Sequence, residues 1–323
     1  MMKSIFPVMA ALCAAVTVSA QVAMDLTLNR SIYMQYEPIY ACVTLRNDSG
    51  RPLIFGRKAE LQGFLLFEIT DQRGRVIPKR PGADLTVTGL VLEPGQIRRL
   101  IVPINRYYQL DPVGIYRVRA YVSHSLLPAE YQSPELKLQI EPGVTVWKKA
   151  VGLPDLHEKD PAGIAQERVY NIRTIVENST KAYYLVIEDG KMIYSVIRVG
   201  KAVGYEKFSA EVDMLSRLHL LMPISPTVVH YLAFAPDGKK FADEYRKTVG
   251  TIPMLMRDPE TGLVTLIGGE TARAGADFTD PNAGLVHVAE LDGTDNIDLN
   301  GDGKPKSPEA PPSKGLVDLG KKL

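Results

Sequence analysis

The feature that most constrains this chain is alternation. Ile39, Ala41, Val43 and Leu45 are apolar and interleave with Tyr40, Cys42 and Thr44, the period-2 pattern of a half-buried strand. Asn47-Asp48-Ser49-Gly50 ends the run with residues that tolerate positive φ and satisfy their own backbone locally. The pattern returns in Phe64 to Ile69, in Leu90 to Leu92 before the Glu93-Pro94-Gly95 turn, and in Arg98 to Ile104. It recurs in Tyr116, Val118 and Ala120, then in Leu136, Leu138 and Ile140. No helical period separates these runs, so residues 21–145 are expected to form a β-sandwich.

A second β-rich stretch follows. Ala182 to Ile187 and Met192 to Val199 flank Glu188-Asp189-Gly190-Lys191, and Asp-Gly suits a tight primed turn. Val228 to Phe234 and Phe241 to Val249 flank Pro236-Asp237-Gly238-Lys239 in the same way. A third hairpin joins Leu255 to Arg257 with Leu263 to Ile267 through Asp258 to Gly262. About 140 residues cannot supply the four or more blades of a closed propeller, at about 40–50 residues each. The expectation for 167–276 is therefore an antiparallel meander, either partly propeller-like or a second sandwich. Residues 146–166 read as a linker or long loop, and 277–323, rich in Asp, Pro and Gly, as a disordered, flexible tail.

Residues 1–20 read as a signal peptide. A basic start at Lys3 precedes the apolar run Ile5 to Val18, and Val18-Ser19-Ala20 offers small residues before Gln21. The run is too short for a transmembrane anchor. The expected location is periplasmic or extracellular. The full chain carries 38 Lys+Arg and 37 Asp+Glu, so loss of Lys3 leaves 37 of each sign. No charge excess is available to hold nucleic acid. Of the two cysteines only Cys42 remains, so no internal disulfide forms and stability must come from the cores.

Leu110-Asp111-Pro112-Val113-Gly114-Ile115-Tyr116 resembles the tyrosine corner of immunoglobulin-like domains, in which a strand Tyr bonds back to the preceding turn. Together with Asn29 to Tyr33, Tyr36 to Ile39, the Asn47 to Gly50 strand end and Glu93-Pro94-Gly95, it resembles bacterial immunoglobulin-like modules of the macroglobulin and proteinase-inhibitor type. The likeness covers a little over a third of the chain. It implies fold more than function, because such sandwiches host unrelated activities. The whole chain is similar to secreted bacterial proteins that pair an N-terminal sandwich with a β-meander.

Chemistry-bearing residues are few. Asp298, Asn300, Asp302, Gly303 and Glu309 fall at positions 1, 3, 5, 6 and 12 of a calcium loop, where alternate oxygens curl around a hard cation. Pro305 at position 8 and the lack of flanking amphipathic helices oppose that reading, and calcium is the one cofactor suggested. Asp48-Ser49-Gly50 matches an aspartic-protease triplet but has no second copy, so a turn explains it. His124, His157, His219, His230 and His287 lack metal-ligand spacing, although His219 and His230 lie in neighbouring strands and could meet across a sheet. Cys42 reads as a packing residue. Tyr33, Tyr36, Tyr107, Tyr108, Tyr183, Tyr184 and Trp147 could line a surface for sugar or peptide, though sheet faces use such residues anyway, and Trp147 is expected between the two domains.

The function expected from the sequence is an exported, non-enzymatic binding or structural protein that meets a protein or glycan partner through sheet edges and loops. Two alternatives accompany it. One is a proteinase inhibitor acting through sandwich loops. The other is a secreted hydrolase whose acidic residues converge in an inter-domain cleft.

Overall fold

The computed structural model describes residues 21–56, 63–83, 85, 87, 89–153, 167–203 and 207–279, and its architecture is all-β. The signal segment, the 154–166 stretch and the calcium-loop residues Asp298, Asn300, Asp302 and Glu309 lie outside the described residues. Among the described residues no helix is long and apolar enough to cross a membrane.

The first unit is built from two antiparallel-rich sheets. One is ordered β1-β3-β7, from Val22–Leu28 (β1), Tyr40–Asn47 (β3) and Ile97–Pro103 (β7). The other is ordered β2-β10-β8-β5, from Ile32–Met34 (β2), Leu136–Glu141 (β10), Gly114–His124 (β8) and Gly63–Asp71 (β5), with Tyr131–Gln132 (β9) also paired to β8; Leu53–Ile54 (β4) and Val91–Leu92 (β6) form a short ribbon beside them. Alternation works here as expected. Ala41, Val43 and Leu45 of β3, Leu65, Phe67 and Ile69 of β5, and Val118, Ala120 and Val122 of β8 all point into one shared core. Ile104 departs from the strand expected over Arg98 to Ile104: it opens a single helical turn, Ile104–Tyr107, after Pro103 ends β7. Tyr116 Oη donates to the Pro112 carbonyl at 2.6 Å, the bond expected of a tyrosine corner.

The second unit begins earlier than the sequence suggests. Val144–Gly152 forms β11, paired along its length with Glu167–Glu177 (β12), so 146–152 is strand rather than linker. Its β-branched start and apolar Trp147 and Val151 satisfy a sheet edge, and the two lysines between them disguise the pattern in the sequence. Strands β12, Thr180–Glu188 (β13) and Ile193–Lys201 (β14) complete a four-stranded meander. A second sheet holds Ser209–Val212 (β15), Leu218–Ser225 (β16), Val228–Phe234 (β17), Lys240–Lys247 (β18) and Glu270–Thr271 (β21).

All three hairpins read from the sequence are present, and Gly190, Gly238 and Gly262 sit in their turns at positive φ. The two sheets pack through a common cluster: Tyr170, Ile172, Leu185 and Ile187 meet Leu218, Leu220, Met222, Leu232 and Phe234. Trp147 lies against this cluster, inside the second unit and not between the units. A separate ribbon of Met254–Arg257 (β19) and Val264–Ile267 (β20) covers the far face of the second sheet, setting Leu255 and Leu266 on Leu221, Tyr231 and Ala233. The ordered body runs past the expected 277 boundary, because Phe278 is buried and stacks on Tyr245 with ring centroids 4.4 Å apart.

Candidate functional site

Three polar clusters and one apolar surface stand out. The first cluster joins the units. Arg30, in the turn between β1 and β2, pairs with Glu37 of its own unit and with Glu177 of β12, the latter at 3.1 Å. It also donates to the Tyr184 hydroxyl, which in turn donates to Glu177 Oε1 at 2.6 Å. Arg198 of β14 holds the other Glu177 oxygen at 3.0 Å, and the Met34 N–H donates to Glu37 Oε2 at 3.0 Å. All four charged side chains are at most 13% exposed.

Burial pushes the Glu37 carboxyl upward against the pull of Arg30, and pushes the Tyr33 phenol up to about 12. Burial also works against the charge of Glu177, but hydrogen bonds from Tyr184 and Arg198 outweigh it and hold that carboxyl below its ordinary range. Two carboxylates thus converge between the units, as the hydrolase expectation requires. Both are committed to arginine and shut off from solvent, which suits a structural lock better than a substrate cleft.

The second cluster lies under the β19–β20 ribbon. Asp213 caps the turn before β16 by accepting the backbone N–H groups of Leu215 and Arg217, each at 2.9 Å. Its Oδ2 accepts from the Arg217 side chain at 2.6 Å and meets His219 Nε2 at 3.3 Å. His219 Nδ1 lies 2.8 Å from the Tyr231 hydroxyl. The tautomer that satisfies both contacts carries its proton on Nε2 and accepts from Tyr231, so both ring nitrogens are committed. Burial pushes the His219 pKa down despite Asp213, and the imidazole is neutral at pH 7. An Asp–His–Tyr chain can relay a proton, but this one ends on a phenol that burial holds protonated.

His230 belongs to a third cluster. Its Nε2 is 2.6 Å from Asp243 Oδ1, and its ring stacks on Tyr245 at 4.0 Å. In the β16–β17 register His219 faces Ala233 and His230 faces Met222, so the two histidines occupy opposite faces of one sheet. The sequence places them in adjacent strands but not in phase. They do not meet.

The remaining candidates among the described residues resolve into structure, while His157 and His287 lie outside the described residues. Asp48-Ser49-Gly50 is a turn: Asn47 Oδ1 accepts from Ser49, and Gly50 takes φ +73°. His124 is buried between the Ile54 carbonyl at 3.0 Å and the Leu126 N–H at 3.0 Å. Cys42 is half-buried, and burial pushes its thiol pKa up, away from nucleophilic thiolate. The aromatic surface is not formed, because Tyr33, Tyr108 and Tyr184 are buried. Tyr36 alone of the seven is strongly exposed. Among the described residues no group of three or more His, Cys, Asp or Glu is placed to hold a metal ion.

The apolar surface belongs to the ribbon. While Leu255 and Leu266 face inward, Met254 and Met256 face out at 54% and 48% exposure, with Ile252 beside them at 73%. The 213–216 turn adds exposed Met214 and Leu215. It is tied to the ribbon by the Met214 N–H to the Gly262 carbonyl at 3.1 Å, and the preceding strand β15 by Arg257 to Glu211 at 3.0 Å. Sequence reading missed this surface because both faces of the ribbon are apolar, and only packing tells which one is covered.

No protein-family model matches the chain, and no curated protein does. Among solved structures, the sporulation control protein Spo0M of Bacillus subtilis is similar over 56% of this chain and 91% of its own, at 9% identity and a TM-score of 0.25. A likeness of that size carries no inference about fold or function.

Proposed function

We propose that this is an exported, non-enzymatic binding protein that docks an extended segment of a partner protein on the outer face and open edges of the β19–β20 ribbon. The observation that carries this reading is the methionine-lined face itself. A two-stranded ribbon is marginal alone, and this one spends one face on the core while presenting a second apolar face to solvent. Contiguous exposed apolar surface marks interaction sites, and methionine adapts its shape to a partner. An extended segment could add to the ribbon edge by backbone hydrogen bonds. Export rests on residues 1–20, and a periplasmic or extracellular setting follows from it. The closed state of the Arg30 and Asp213 clusters favours binding over hydrolysis.

The test places a photo-crosslinking residue at Met254, with a control at exposed Val113 on the sandwich, in cells of the native host. Expected is a discrete crosslinked product from position 254 alone, lost when Met256→Lys is added. Thermal unfolding should meanwhile change by no more than about 0.5 kcal/mol. Equal crosslinking from both positions, or none from Met254, overturns the proposal.

A further inference from the structure

Among the described residues, the apolar part of the junction between the two units is one small cluster in which Met34 packs on Ile175, Ala182 and Tyr184, with Ile32 and Val196 against it. The connector passes at Gly143, φ +70°, where an added Cβ would fall 2.6 Å from Met34 Cε and 3.2 Å from the Thr174 carbonyl. The positive φ and the close Thr174 carbonyl make any side chain there strained. Beside the apolar cluster, the buried charges around Arg30 also tie the two units together.

Those charges are arranged unequally. Glu177 receives Arg30, Arg198 and Tyr184, so it is the meeting point of both units. Glu37 receives Arg30 and the Met34 N–H, both from its own unit. Protonating Glu37 leaves the cross-unit pair intact. Protonating Glu177 removes the carboxylate that pairs across the junction and weakens its bonds to Arg30 and Arg198 at once, and breaking a buried ion pair is costly.

We propose that the Arg30–Glu177 pair is an acid-released latch between the two units, with Glu177 as the group whose protonation opens it. The groups facing Glu177 are Arg30 from the β1–β2 turn, Tyr184 from β13 and Arg198 from β14, with Glu37 and Tyr33 behind Arg30. The arginines and tyrosines keep their protons throughout the acid range, so only the two carboxyls titrate there. Glu177 is held below its ordinary 4.5, so its contribution is complete above that pH and is lost as pH falls beneath it. Glu37, pushed up by burial, takes its proton at higher pH, where protonation favours the folded arrangement.

The experiment measures one distance across the junction by pulsed electron paramagnetic resonance. Spin labels go at Val113→Cys and Met192→Cys, both exposed, in a Cys42→Ser background of the chain from residue 21 onward. Expected is a narrow distance distribution at pH 7 and 5.5 that broadens at pH 3.5 while far-ultraviolet circular dichroism stays β-type. Glu177→Gln should broaden the distribution already at pH 7, and Glu37→Gln should leave it narrow. Should Glu177→Gln fail to fold, the pH series and Tyr184→Phe, which removes one latch hydroxyl and should raise the opening pH, still decide. A distribution that stays narrow at pH 3.5, global unfolding in place of opening, or equal effects of the two Gln variants overturns the latch.

Discussion

The two units solve the same packing problem differently. The first keeps one contiguous apolar core, and its strands alternate cleanly between buried and exposed. The second buries both faces of its central strands: Leu218, Leu220 and Met222 of β16 face the meander, while His219 and Leu221 face the ribbon. Polar side chains therefore enter the second interior, and each must find partners there. Asp213, His219 and His230 do so, and the Asp213–His219 pair makes that unit sensitive to protonation. The first unit also buries titratable groups, Glu37 and His124, so the contrast is one of layering: the second sets its Asp213–His219 pair between a sheet and a ribbon.

This contrast can be broken most forcefully in the cores. Leu65→Ala in the first unit and Leu220→Ala in the second should each cost about 2–5 kcal/mol, read by denaturant unfolding. Leu221→Ala, under the thin ribbon, should cost less than Leu220→Ala. Equal losses would mean the ribbon packs as tightly as the main sheet. Next in size is Asp213→Ala. It leaves the His219 N–H and two turn N–H groups without their acceptor and should cost about 1–3 kcal/mol.

The pH dependence sharpens the same point. The folded state lowers the His219 pKa below 6.5, so the unfolded chain binds the extra proton in that window. Stability should be level above about pH 6.5 and fall as pH drops beneath it, and His219→Gln should flatten that slope in thermal melts from pH 8 to 5. A slope unchanged in His219→Gln would place the sensitivity elsewhere. The smallest effect belongs to the first unit: Tyr116→Phe loses its 2.6 Å bond to Pro112 and should cost about 1 kcal/mol with no pH dependence between 5 and 8.

Much of the fold was legible in the residues. Period-2 alternation located β3, β5, β8 and β10, and Asp-Gly turns located the hairpins, because both signals are local backbone chemistry. Strand β11 was not legible, since an edge strand with Lys148 and Lys149 exposed looks like a polar connector. The polar clusters were legible only as residue types. Nothing in Arg30 and Glu177, 147 positions apart, announces a contact. His219 and His230 looked like a pair until register put them on opposite faces.

By itself, then, the sequence determined an all-β chain, its main strands and its turns, because side-chain alternation and turn residues act over a few positions. The tertiary structure alone decided which carboxylates meet, which histidines are sealed, and which face of the β19–β20 ribbon stays open. Those outcomes depend on how sheets are layered and on which buried groups find charge and hydrogen-bond partners. Such partners come from distant segments, and their energies are settled only once water has been excluded between the layers.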